Sequence, residues 1–245
     1  MRLSAVVITL NEQNNIEDCL KSLNFVDEII VVDAGSEDRT VEIARNFTTK
    51  VYEPGWLGFV EAKEYGIERA EGEWILWIDA DERVTEQLRE QILKAIDEKR
   101  DCAAFRIPRK SFFLGKWIKH CGWYPDYVVR LFKKGKAHFD KKDLVHETLT
   151  VDGKVGTLNY PILHYTYPTL KSYFDKFNKY TSLAAKEAKL KGEKFKLSSM
   201  VVHPLAIFFK MYIQKRGFLD GFEGFLLSEL SAFYVFVKYV KLRYE

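Results

Sequence analysis

Three short runs in the first eighty residues are apolar at consecutive positions rather than alternate ones: LSAVVITL from Leu3, EIIVV ending before Asp33, and WILWI from Trp74 to Ile78. A strand with one wet face alternates, whereas a strand covered on both faces does not, and helices on either side of a parallel sheet supply that cover. The segments between the runs carry the matching helical signal. Ile16, Cys19, Leu20 and Leu23 fall at i, i+3, i+4 and i+7. Gly35 and Ser36 provide a turn and a cap before Thr40 to Asn46, TKVYE supplies another strand, and a helix reaches Ala70 with Gly72 as its stop. The order βαβαβαβ predicts an α/β class with a mostly parallel, doubly wound, twisted sheet flanked by helices. At 245 residues the chain builds one such domain with an extension and needs no covalent staples.

Beyond the third run, Thr85 to Glu98 reads as a helix with Leu88, Ile92, Leu93 and Ile96 on one face. AAFRIP and YVVRLFK read as strands, and RKSFFLGKWIKHCGWYPD between them reads as a mobile binding loop. Further strand candidates lie around Val145 and Ile162, and the chain turns helical from Leu170. The expected division is an α/β domain over 1–168 and a helical extension over 169–245. The cysteines, Cys19, Cys102 and Cys121, are odd in number, far apart and without a C-x-x-C pair, which argues for a reducing compartment and against zinc. The N-terminal apolar run meets Asn11 and Glu12 too early for an export signal, so the expected location is cytoplasmic.

Ligands of such sheets sit outside the carboxyl ends of the strands. Asn11 and Glu12, Asp33, and the group from Asp79 to Glu82 all fall at predicted strand C-termini, so three polar clusters share one rim. No G-x-G-x-x-G or G-x-x-x-x-G-K-[ST] follows a strand, which removes the backbone phosphate cradles. In WILWIDADERV, however, three carboxylates, Asp79, Asp81 and Glu82, follow five apolar residues within four positions. Carboxylates at i and i+2 that turn toward one site repel each other unless a cation lies between them. Hard oxygen ligands fit Mg²⁺ or Mn²⁺, which completes its shell with water and substrate phosphates, so the D-x-D reads as a clamp for a nucleoside diphosphate. The alternative is that Asp81 and Glu82 open the next helix, where acid favours the dipole.

ITLNEQNNIEDCLKSL, EIIVVDAGSEDRTVEIA and AEGEWILWIDADERV resemble the successive motifs of the family 2 glycosyltransferases, enzymes of the GT-A fold that use nucleotide sugars. GWYPDYVVRLFKK, LVHETL and ILHYTYPTL are similar to the lipopolysaccharide-core glucosyltransferase branch of that family. Glu64 departs from the pattern, since relatives often carry Asn there. The resemblance implies that Asp33 accepts a hydrogen bond from the base, its other reading being a cap within the D-A-G-S turn. It implies that Thr9 and Glu12 line the base and ribose, with Asn11, Ala80 and Arg130 in the same nucleotide-sugar set. Asp79 would meet the ribose or the metal's water shell, Asp81 the metal itself, and His146 or His164 would supply a further ligand or a diphosphate contact. For Arg130 two roles stand open, binding phosphate or pairing with an acid at the core edge.

Inverting transfer needs a carboxylate that takes the proton from the acceptor hydroxyl. Asp126, ahead of the strand YVVRLFK, fills that role, with Glu147 beside His146 as its rival. The branch resembled implies a hexose, glucose from UDP-glucose, passed to a saccharide or glycolipid acceptor of the cell envelope. Two other classes stay open: a non-catalytic nucleotide-sugar or membrane-binding module, and a Mg²⁺-dependent D-x-D phosphatase, against which Arg83 stands where Thr or Val is usual.

The net charge of +3 is too small to call for nucleic acid, but it is unevenly spread. Residues 166–245 hold 14 Lys and Arg against 7 Asp and Glu, and they are rich in aromatics. MVVHPLAIFFKMYI and FLLSELSAFYVFVKYV are each shorter than the ~20 residues a bilayer span needs. Phe208, Phe209, Tyr212, Phe218 and Phe222, flanked by Lys210, Lys215 and Arg216, suit either a helix lying in the interface of an anionic membrane or the closure of a core or homodimer interface.

Overall fold

The structure, a computed structural model, describes residues 1–98, 101–139 and 149–244. In chain order the elements are β1 (Leu3–Thr9), α1 (Ile16–Lys21), β2 (Glu28–Asp33), α2 (Thr40–Ala44), β3 (Val51–Tyr52), α3 (Phe59–Arg69), β4 (Trp74–Asp79), β5 (Glu82–Val84) and α4 (Glu86–Asp97). There follow β6 (Ala104–Phe113), β7 (Lys116–Trp117), β8 (Asp126–Lys133), β9 (Ala137–Phe139), β10 (Leu149–Val151), β11 (Val155–Thr157) and β12 (Ile162–Tyr167). Three long helices close the chain: α5 (Leu170–Leu190), α6 (Leu197–Phe209) and α7 (Gly221–Tyr244). Among the described residues these elements form two compact units, one over 1–109, 127–139 and 149–164, the other over 110–126 and 165–244.

In the first unit β3, β2, β1 and β4 pair in parallel, as the consecutive apolar runs require, and β8 then joins β4 antiparallel. Successive side chains of one strand go to opposite faces. Ala5, Val7, Leu76 and Ile78 pack with Cys19, Leu20 and Leu88 on one side, while Val6, Ile30, Ile75 and Trp77 pack with Val60 and Ala62 on the other. The register places Thr9 opposite Asp33 and Ile8 opposite Asp79, so the carboxyl ends of β1, β2 and β4 finish level.

One alternative falls and one expectation changes here. Asp81 and Glu82 do not open a helix: Glu82–Val84 is the strand β5, antiparallel to β12, and α4 starts only at Glu86 with Thr85 as its cap, accepting the Leu88 N–H at 3.2 Å. Buried Glu82 and Val84 alternate with half-buried Arg83, a period that suits a strand and not a helix start. Gly72, expected as a helix stop, is constrained instead by packing. Ala70 already ends α3, and a Cβ at Gly72 would stand 2.7 Å from the Ser4 amide nitrogen.

The second unit corrects the reading of 109–126 as a mobile loop. Strand β6 continues through Phe113 and turns back through β7, and Phe113, Ile118 and Cys121 are buried in a cluster with Tyr173, Phe177 and Leu227 of α5 and α7. The helical extension is therefore assembled from 110–126 as well as from the chain's end. Strand candidate Val145 lies outside the described residues.

Gly72→Ala is expected to destabilise the protein by about 1–3 kcal/mol, the usual result of forcing a methyl into filled backbone space. A thermal melt followed by far-UV circular dichroism measures it, and an unchanged midpoint would show that β1 shifts freely at Ser4.

Candidate active site

The acidic rim after β4 is held by a cation from the chain itself. Strand β8 pairs Leu131 with Leu76, so Arg130 comes next along β8 toward the end of β4. Its residue is 2% exposed, and its Nη2 donates both to Asp79 Oδ2 and to Glu82 Oε1, the latter at 2.7 Å. Glu82 is satisfied on its other oxygen by the Asp79 N–H at 3.2 Å. Trp77 supports the guanidinium, its ring centroid 4.2 Å from Arg130 Cζ. Of the two roles open to Arg130, it takes the pairing with acids at the core edge.

The charges shift accordingly. Burial alone would raise the Asp79 carboxyl, but the charges of Arg130 and Lys63 outweigh it and hold the group below the usual range. Glu82 has no exposed surface, and burial together with the nearby Asp79 charge pushes its carboxyl up despite Arg130. Lys63 of α3 is the residue that sequence reading missed. Its ammonium sits 4.1 Å from the Trp77 ring centroid, and burial lowers its pKa to about 8, with Asp79 opposing and Arg130 reinforcing the drop. A lysine three positions after the helix's apolar Val60 and beside Ala62 gives no sequence signal of its own, since a helical lysine reads as part of a solvated face.

With Asp79 engaged by Arg130, Asp81 faces a different group. The antiparallel register sets His164 of β12 opposite Glu82 of β5, and His164 Nε2 lies 3.5 Å from Asp81 Oδ1. Both side chains are largely buried, at 15% and 10% exposure. A carboxylate oxygen and an imidazole nitrogen facing each other at the sheet rim fit a divalent cation as two of its ligands. Among the described residues no group of three or more His, Cys, Asp and Glu side chains gathers for a metal, so any remaining positions fall to water or substrate oxygens. Asp81 and His164 are thus brought together, while Asp79 belongs to the Arg130 cluster.

On the β1–β2 side the polar residues tie two loops into one wall. Asp33 Oδ1 accepts the N–H groups of Gly35 and Ser36 at 2.9 and 2.7 Å, and its Oδ2 accepts the Ser36 hydroxyl at 2.5 Å. Ser36 caps nothing; its hydroxyl oxygen also accepts the Asn11 N–H at 2.8 Å. Asn11, in the left-handed region at φ 55°, where asparagine is tolerated, accepts the Glu37 N–H at 2.8 Å. Glu12 accepts from the Asn15 amide at 2.7 Å. The buried Thr9 hydroxyl has no hydrogen-bond partner among the described residues, at the level where β1 ends beside Asp33. Ala80 is buried and donates its N–H to Ile8 O at 3.3 Å, which ties the D-x-D turn to β1.

Asp126 begins β8, follows the cis Tyr124–Pro125 bond and falls in the second unit. His146 and Glu147 lie outside the described residues.

The glycosyl transferase family 2 model matches residues 4–151, which span every rim segment described above except His164. The chain belongs to glycosyl transferase family 2. This family 2 enzyme is 28% identical over 98% of its length to the lipopolysaccharide core biosynthesis glycosyltransferase LpsC of Rhizobium meliloti, covering 91% of that protein. It is 31% identical over 99% of its length to an uncharacterised glycosyltransferase of Rickettsia felis, covering 89% of it. Its fold is that of the GT-A glycosyltransferases, as in S. aureus TarS solved in complex with UDP-GlcNAc, with a TM-score of 0.51 and 16% identity over 95% of this chain and 79% of that one. Membership of a transferase family sets aside the phosphatase and the non-catalytic module.

Arg130→Met is expected to cost about 3–5 kcal/mol in urea denaturation at neutral pH, because it leaves two carboxylates without their cation. Adding Asp79→Asn and Glu82→Gln should recover most of that loss, and a triple variant as weak as the single one would show that the guanidinium acts by packing alone. Lys63 gives a pH test. Its folded form releases the proton near pH 8 and its unfolded form near 10.5, so between those values the unfolded chain binds more protons. Wild-type stability should therefore rise relative to Lys63→Met across that window, and parallel pH profiles would refute the assignment.

Proposed function

We propose that this glycosyltransferase moves a hexose, with inversion, from a UDP-sugar to a saccharide of a lipopolysaccharide core. The observation that carries the reading is the facing pair of Asp81 and His164 beside a turn whose other two carboxylates, Asp79 and Glu82, are already engaged by Arg130. A diphosphate brings charge that these two residues alone do not balance. Asp81 and His164 would hold Mg²⁺ or Mn²⁺, which when bound supplies the positive charge that stabilises a departing nucleoside diphosphate. The donor class is supported by the family and by the UDP-GlcNAc complex of TarS, and the acceptor class by the name of the R. meliloti relative.

The residues then divide the work. Thr9, Asn11, Glu12 and Asp33 line the nucleoside end, and the unpartnered Thr9 hydroxyl is available to it. Both Asp33 oxygens already accept bonds within their own turn, so a base N–H would share Oδ2 with Ser36 or displace it. Asp79 and Ala80 shape the ribose side. Asp126 takes the proton as the acceptor oxygen forms its bond to the anomeric carbon and the bond from that carbon to the diphosphate breaks. Glu147 is the other carboxylate for this role.

Thermal shift with UDP-sugars in the presence and absence of Mn²⁺ tests the donor site. A metal-dependent rise is expected, absent in Asp81→Ala and reduced in His164→Ala, with the apo melting temperatures little changed. Asp126→Asn should keep that shift and lose about 10²–10⁴-fold in turnover of the donor, the range of a general base. A shift that ignores metal, or full turnover in Asp126→Asn, would overturn the corresponding assignment.

A further inference from the structure

Within the second unit, helix α6 buries none of its side chains. A π-helical turn (Lys210–Gln214) and a 3₁₀ turn (Gly217–Asp220) lead from it into α7. At this end of the hairpin Leu205, Phe209, Ile213, Phe218, Leu219 and Phe222 are each 48–69% exposed. Large apolar groups are ordinary at the surface one at a time; a run of them on a single hairpin end is a contact surface.

The tip is rigidly built. A Cβ at Gly224 would stand 2.0 Å from the Gly217 carbonyl oxygen, so only glycine lets the first turn of α7 close against the 3₁₀ turn. The Cys121 N–H donates to Lys215 O at 3.1 Å. Asp220 is buried, and its carboxylate accepts the N–H groups of Lys119 and His120 at 3.2 and 2.7 Å. Lys116 donates to Asp220 O at 2.6 Å and to Glu223 at 2.8 Å. The two nearest carboxylates are thus turned inward and engaged.

The outward charge that remains is positive. Residues 194–219 contain Lys194, Lys196, Lys210, Lys215 and Arg216 and no Asp or Glu, and all five cations are exposed. A second copy of this face would set like charges against each other across a two-fold axis, which disfavours a dimer here. Among the described residues no helix is long and apolar enough to cross a membrane. We propose that the tip of the α6–α7 hairpin lies on the surface of an anionic phospholipid bilayer. The aromatic and aliphatic side chains enter the boundary below the headgroups, and Lys210, Lys215 and Arg216 meet the phosphates. This inference does not depend on the donor chemistry proposed above.

Co-sedimentation of the full chain with vesicles tests it. Binding is expected to vesicles containing phosphatidylglycerol and not to pure phosphatidylcholine. Lys210→Glu with Lys215→Glu should weaken it about tenfold or more, since each cation near an anionic surface contributes separately. Phe218→Ser with Phe222→Ser should abolish it, with circular dichroism melts confirming that both variants fold. Equal binding to neutral vesicles would overturn the proposal. So would no binding at all together with a dimer, seen by light scattering, that Phe218→Ser with Phe222→Ser converts to a monomer.

Discussion

The guanidinium of Arg130, buried between Asp79 and Glu82, is the interaction on which the rim of the sheet depends. Two carboxylates at the end of a buried strand repel each other and lose their hydration, and neither cost is tolerable without an opposite charge at contact distance. Arg130 supplies it from the antiparallel partner strand, and Trp77 of β4 carries both Arg130 and Lys63 against its ring. The turn from Asp79 to Glu82 is thereby fixed before any ligand binds. A rigid turn is what a site for a highly charged substrate needs, because charges placed in advance need no reorganisation during reaction.

The same pairing separates the acids by task. Asp79 and Glu82 are structural in the sense that their partner is a covalent part of the chain, whereas Asp81 faces His164, a group that binds a proton or a metal. Two short strands produce this separation. Strand β5 lifts Glu82 back into the sheet, and its pairing with β12 brings His164 across more than eighty residues of sequence to the D-x-D turn. On the other side, Asn11, Ser36 and Asp33 join the loops after β1 and β2, so that wall of the rim is stiff as well.

The second unit shows the same economy with apolar groups. Phe113, Ile118 and Cys121 serve as the base for α5 and α7, and the carboxylate of Asp220 is consumed by the backbone of 119–120. What stays outside at the tip of the α6–α7 hairpin is apolar and cationic.

The sequence by itself determined the parallel order of β1, β2 and β4, because consecutive apolar residues leave no other way to cover both faces of a strand. It also placed Asn11 and Glu12, Asp33 and Asp79 at strand ends, and the motifs around them were specific enough to point to the family. Only the tertiary structure decided which cation meets which acid. Arg130 and Asp79 are 51 residues apart and His164 is farther still, and their meeting is set by antiparallel registers that local periodicity does not encode. The segment from Lys110 to Asp126 was misread for the same reason: its glycines and aromatics look like a loop until the partners that bury Phe113 and Ile118 arrive from the other end of the chain.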